Sequence, residues 1–207
     1  MNRKDLEKES RKNSIIEAAE MIFREKSFEQ SGMDEIAAGA QFTKRTVYSY
    51  FINKEDLFFA VALKISESYI PEILIAMEKG KTGFEKIREA GKAYYQFYID
   101  NPAGFKIISF ARTIHNFEWE SPHHREMVRL SEKLFISFGK AISEGQKDGS
   151  IRKDLAPAKG AYFLAVSTAG ILEMFSSNKP DMSVFSIEEK GFLELSLGLI
   201  LDSIRPR

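Results

Sequence analysis

The chain contains no cysteine, which excludes disulfide scaffolding and thiolate metal sites. No apolar run reaches the roughly 18 residues that a membrane span needs. The opening MNRKDLEKESRK is charged and has no apolar core, so a secretory signal is not expected. Together these absences make the cytoplasm the expected location. An excess of one charge is missing too. Thirty Lys and Arg balance thirty Asp and Glu, and residues 1–56 hold ten basic against eleven acidic side chains. No domain-wide basic surface therefore marks a nucleic-acid binder, and any such case must be local. Internal repeats, low-complexity tracts and sustained strand-type alternation are lacking. So are a GxSxG elbow, a DDxxD-like pair and a Cys nucleophile, which leaves a helical enzyme without visible machinery.

What is present is helical periodicity. With 43% hydrophobic and 29% charged residues over a length of 207, the composition is that of a soluble globular chain with one large or two small domains. Apolar residues recur every 3.6 positions almost throughout, which predicts an all-α fold. The expected helices cover 10–27, 33–39, 43–50, 54–70, 84–100, 103–114, 123–147, 157–177 and 185–204. Pro71 is expected to kink or stop the fourth. In the first helix, Ile15, Ile16, Ala19, Ile22 and Phe23 form one apolar stripe.

Residues 31–56 carry the most information. Ser31 precedes Asp34 by three positions, Thr43 opens a second candidate helix, and Asn53 precedes Asp56 by three. Each is a short polar side chain able to cap a helix start. The two middle helices are too short to be stable alone, so packing must hold them through Ile36, Ala37, Ala40, Phe42, Val47 and Phe51. On a helical wheel Lys44, Tyr48, Arg45 and Ser49 fall within an arc of about 140°, with Thr43, Val47 and Tyr50 opposite. That arc offers what major-groove readout requires: cationic donors for guanine, a ring for a thymine methyl, and small hydroxyls. Thr46, Tyr50 and Lys54 flank it and suit phosphate contacts. Between residues 41 and 54 the only charged side chains are Lys44, Arg45 and Lys54. A helical hairpin with an ordinary solvated face fits the same pattern.

The segment MDEIAAGAQFTKRTVYSYFINKEDLF resembles the DNA-binding signature of TetR-family repressors. The matching positions are Ile36-Ala37, Thr43, Thr46, Tyr48, Tyr50, Phe51, Lys54, Glu55 and Leu57. The resemblance implies a helix-turn-helix domain over 1–56, followed by a ligand-binding and dimerisation domain over 57–207. It further implies that Lys44, Arg45, Tyr48 and Ser49 face the groove, that Thr43 caps their helix, and that Thr46, Tyr50 and Lys54 hold phosphates. The expected partners are double-stranded operator DNA, a small apolar or amphipathic effector and a second copy of the chain, with no cofactor, no metal and no membrane. A DNA-binding accessory factor without an effector is the alternative. Two positions depart from the family pattern, with Gln41 and Ser27 standing where glycine is frequent. Where φ is positive there, a side chain costs about 1 kcal/mol or more.

Aromatic residues crowd the region 84–138. Tyr94, Tyr98, Phe110, His115 and Trp119 are the candidate effector contacts, mixing polar handles with apolar surface; an ordinary helical core is the other reading. His123 and His124 are adjacent and point about 100° apart on a helix, so they do not chelate as a pair. Near the end, Ala161, Ala165 and Ala169 repeat every four residues, and a helix containing Leu197 is apolar around more than one face. Both features suit a dimer interface, although burial in the chain's own core would explain them equally well.

Overall fold

In the computed structural model, which describes residues 2–114, 121–177, 182 and 187–206, all regular structure is helical. The helices are α1 (Arg3–Glu25), α2 (Met33–Gly39), α3 (Lys44–Tyr48), α4 (Lys54–Glu78), α5 (Gly83–Asp100), α6 (Pro102–Thr113), α7 (Pro122–Asp148), α8 (Pro157–Ser177) and α9 (Glu189–Asp202). The chain forms two compact units, one of Met1–Ser66 with Phe110–Val128 and the other of Glu67–Ser109 with Arg129–Arg207. Neither coincides with the boundary expected at residue 56. The first unit runs on into α4 and takes in a later stretch that no local signal marks.

In the first unit, α1 buries Ile15, Ile16, Ala19 and Phe23, the stripe expected from their spacing. It begins seven residues earlier than periodicity suggests. Asn2 and Asp5 form a reciprocal capping box and Arg3 pairs with Glu7, so local polar bonds start a turn that buries no apolar face. An aromatic cluster closes this unit: Phe58 meets Phe23, Phe28 and Phe110 at 5.0, 5.1 and 5.6 Å between centroids.

Two local expectations require correction. Ser31 does not cap α2, whose N-cap is Gly32. The Ser31 hydroxyl is buried and donates to the carbonyls of Ser27 and Phe28 instead, closing the α1–α2 connection. Pro71 does not end α4, which continues to Glu78. The ring lies on the exposed side, while Tyr69, Ile70, Ile73 and Met77 around it are buried. Their packing outweighs the roughly 3 kcal/mol that an interior proline costs.

In the second unit, Tyr98, Phe105, Leu172, Phe175 and Leu193 form a core joining α5, α6, α8 and α9. The start of α5 is tied to the end of α7 by the Gly83 amide on Asp148 at 2.8 Å and the Phe84 amide on Ser150 at 3.1 Å. A side chain at Gly83 would strike the backbone of Ala141 and Gly145, so glycine is required at this crossing. No helix of the described residues is long and apolar enough to cross a membrane.

Candidate nucleic-acid interface

The turn between α2 and α3 is set by backbone bonds. The Phe42 amide donates to Ala37 at 2.9 Å and the Gln41 amide to Ala38 at 3.0 Å, the paired closure of a Schellman motif. That motif needs a left-handed residue after the helix, and Gln41 supplies it with φ of 59°. Ser27, the other departure from glycine, does not have positive φ.

Thr43 then caps α3, its Oγ1 accepting from the Thr46 amide at 3.2 Å and lying 2.9 Å from the Thr46 hydroxyl. Val47 is fully buried and Phe51 nearly so, which anchors a five-residue helix that its own bonds could not hold. The opposite face carries Lys44, Arg45, Tyr48 and Ser49, all exposed. Sequence spacing and structure therefore agree on this arc. Lys44 bonds Asp34 of α2 at 2.8 Å, and that hydrogen bond raises the ammonium pKa. Ser49 donates to the Thr46 carbonyl at 2.6 Å. Arg45 has no ion-pair partner among the described residues, leaving its five donors for an incoming ligand.

The flanking residues behave differently. Thr46 and Tyr50 are half-buried. Lys54 turns inward: its Nζ donates to the carbonyls of Phe28 and Ser31 at 2.7 and 3.0 Å and lies 4.2 Å above the Phe28 ring. The α1–α2 connection, rather than a free surface, holds this ammonium.

The expected effector contacts do not form one group. Tyr94 and Tyr98 both meet Phe105, at 5.8 and 5.1 Å. Phe110 packs on Phe28 and Phe58 of the first unit, and His115 and Trp119 lie outside the described residues. The four proposed interface residues also diverge. Ala161 is fully buried within the chain, Ala165 is exposed, and Ala169 and Leu197 are half-buried. More prominent on α8 and α9 are Tyr162, Phe163, Val166, Leu195 and Leu199, all exposed. An open hollow of about 540 Å³ is lined by Tyr162, Phe163, Val166 and Phe135 among others. Leu195 and Leu199 belong to the apolar surface expected of the last helix, whereas Tyr162, Phe163 and Val166 carry no separate signal, because inward- and outward-facing apolar positions are interleaved along α8.

Comparison with known proteins bears on this geometry. A family described as "Bacterial regulatory proteins, tetR family" matches residues 15–61, which run from the second half of α1 through α2 and α3 into the start of α4. YhgD of Bacillus subtilis, an uncharacterized HTH-type transcriptional regulator, is 30% identical over 189 residues, covering 89% of this chain and 93% of that protein. The HTH-type transcriptional repressor DhaR of a Mycobacterium species is 28% identical over 165 residues, covering 76% and 78%. The match to the transcriptional activator FasR of Mycolicibacterium smegmatis, 25% identical, covers 50% of this chain and 47% of that protein. Among solved structures, the regulator FadR of Bacillus subtilis in complex with stearoyl-CoA superposes with a TM-score of 0.71 at 17% identity, covering 93% and 98%; at that identity the likeness speaks for the fold alone.

Proposed function

Because this chain belongs to the TetR family of bacterial regulatory proteins, and is thus a DNA-binding regulator of transcription, we propose that it acts in the cytoplasm as a dimeric repressor released from its operator by a small amphipathic effector. The observation that carries the reading is the division of α3 into a fully buried Val47 and an exposed arc of Lys44, Arg45, Tyr48 and Ser49. Arg45 suits bidentate donation to guanine, and Tyr48 suits contact with a thymine methyl. Lys44 would exchange Asp34 for a phosphate or base, whereas Thr43, Thr46 and Tyr50 border the arc.

One such helix reads few bases, so a second copy placed about 34 Å away would give a palindromic site. The amphipathic effector is suggested by the aromatic core around Tyr94 and Tyr98 and by the stearoyl-CoA bound to FadR. Repression is suggested by DhaR.

The test begins with duplexes that the wild-type protein enriches from a random pool. Arg45→Ala should weaken binding to them by about 1 to 3 kcal/mol and relax preference at one base position in each half-site. Unchanged preference in that variant would sink the reading.

A further inference from the structure

His123 and His124, at the start of α7, have no part in the function so far described, yet both rest on the region where α4 begins. The His123 ring lies 5.6 Å from Phe51 and the His124 ring 4.8 Å from Phe59, between centroids. Beside them is Asp56, a carboxylate only 1% exposed. Its Oδ1 accepts from the Ser121 hydroxyl at 2.7 Å and from His123 Nδ1 at 2.9 Å, and its Oδ2 accepts from the Ile52 amide at 3.2 Å. An ionised carboxylate only accepts, so Nδ1 of His123 carries the proton. The Asp56 amide in turn donates to Asn53 Oδ1 at 2.8 Å.

The turn from α3 into α4 is therefore gripped at Phe51, Ile52 and Asn53, partly by a segment 67 residues further along the chain. A helix of five residues has too few internal bonds to fix its own direction. The buried Val47 holds it down, and its direction is set at its two ends, by the Thr43 cap and by this turn. Ring contacts alone tolerate sliding, whereas hydrogen bonds onto a single carboxylate set an angle. A purely structural anchor would be served as well by apolar residues, since burying a carboxylate carries a desolvation cost.

We propose that Ser121 and His123, acting through Asp56, are positioning residues for DNA reading, fixing the angle at which α3 presents Arg45 and Tyr48. This rests on α3 being the recognition helix.

The experiment uses the full chain, a duplex enriched by the wild type from a random pool, and a scrambled duplex of equal length. Asparagine can place a donor where Nδ1 of histidine lies, and glutamine cannot. His123→Ala and His123→Gln should lose about tenfold in affinity for the enriched duplex, as expected for one hydrogen bond to a charged group. His123→Asn should stay near wild type, and affinity for the scrambled duplex should hold in all three. If His123→Ala does not fold, the Asn and Gln variants decide between them. Equal affinities for those two, or a loss shared equally by both duplexes, would overturn the proposal. Arg45→Ala is run alongside. If it loses preference while the His123 variants do not, the clasp alone is refuted; if it keeps full preference, the reading of α3 fails and the clasp with it.

Discussion

Gln41 holds a left-handed backbone conformation, φ 59°, which a side chain makes costly by crowding its Cβ against the following carbonyl. Gln41→Gly is therefore expected to raise stability by about 1 kcal/mol, as glycine does at this position of a Schellman motif. Urea denaturation read by circular dichroism checks it, and a lower midpoint would mean that the glutamine side chain contributes more than its backbone loses. Asp56 presents the opposite case. Burial works against its charge, but hydrogen bonds from His123, Ser121 and the Ile52 amide prevail and bring its pKa below the ordinary 3.8. A carboxyl depressed in the folded state adds stability that is fully present above its unfolded pKa and is lost as pH falls through the folded one. Asp56→Asn should then cost about 1.5 to 3 kcal/mol near neutrality. Its difference from wild type should narrow as pH drops below 3.8. A difference that stays constant across that window would show that folding does not lower the Asp56 pKa.

α4 is continuous through Pro71, although that residue removes the hydrogen bond its amide would make to the Glu67 carbonyl. Since the ring faces outward and neighbouring side chains are buried, Pro71→Ala should stabilise the fold by about 1 to 3 kcal/mol. A thermal melt that falls instead would show that the proline relieves strain elsewhere in α4. Lys54, at the first turn of the same helix, is used to hold the α1–α2 connection. Lys54→Ala is accordingly expected to cost about 1 kcal/mol of stability and to leave the salt dependence of DNA binding unchanged; a slope lowered by about one would instead assign it to a phosphate. Most of this element layout is legible in the sequence. The periodic stripe of α1, the Thr43 and Asn53 caps and the exposed arc of α3 depend on spacings of a few residues, which local patterns record. The inward turn of Lys54, the Ser121–Asp56–His123 clasp and the return of Phe110 to the first unit depend on partners 23 to 82 residues apart. No local pattern encodes those. Pro71 was misleading for the same reason, because the burial that carries α4 past it is tertiary.

At the scale of the whole molecule, the question is what covers α8 and α9. Tyr162, Val166 and Ala169 follow one another at helical spacing on α8, and Leu195 and Leu199 do so on α9. These two helices pack against each other, yet Tyr162 is 64%, Val166 52%, Leu195 59% and Leu199 62% exposed in the single chain. Large apolar side chains left uncovered at helical spacing mark an association surface more often than free surface. A palindromic operator asks for two copies, and a two-fold interface would bring the same helices of both chains together. Leu199→Glu, at a position whose exposure in one chain spares the fold, places a charge in that interface with no partner to offset its desolvation. Sedimentation velocity should then move from twice the 23.6 kDa chain mass to the chain mass itself. Far-UV circular dichroism should be unchanged, and affinity for the enriched duplex should fall toward that of a scrambled one, since each half-site is then bound alone. A Leu199→Glu protein that stays dimeric with full operator affinity would exclude α9 from the interface, and Val166→Glu would then ask the same of α8.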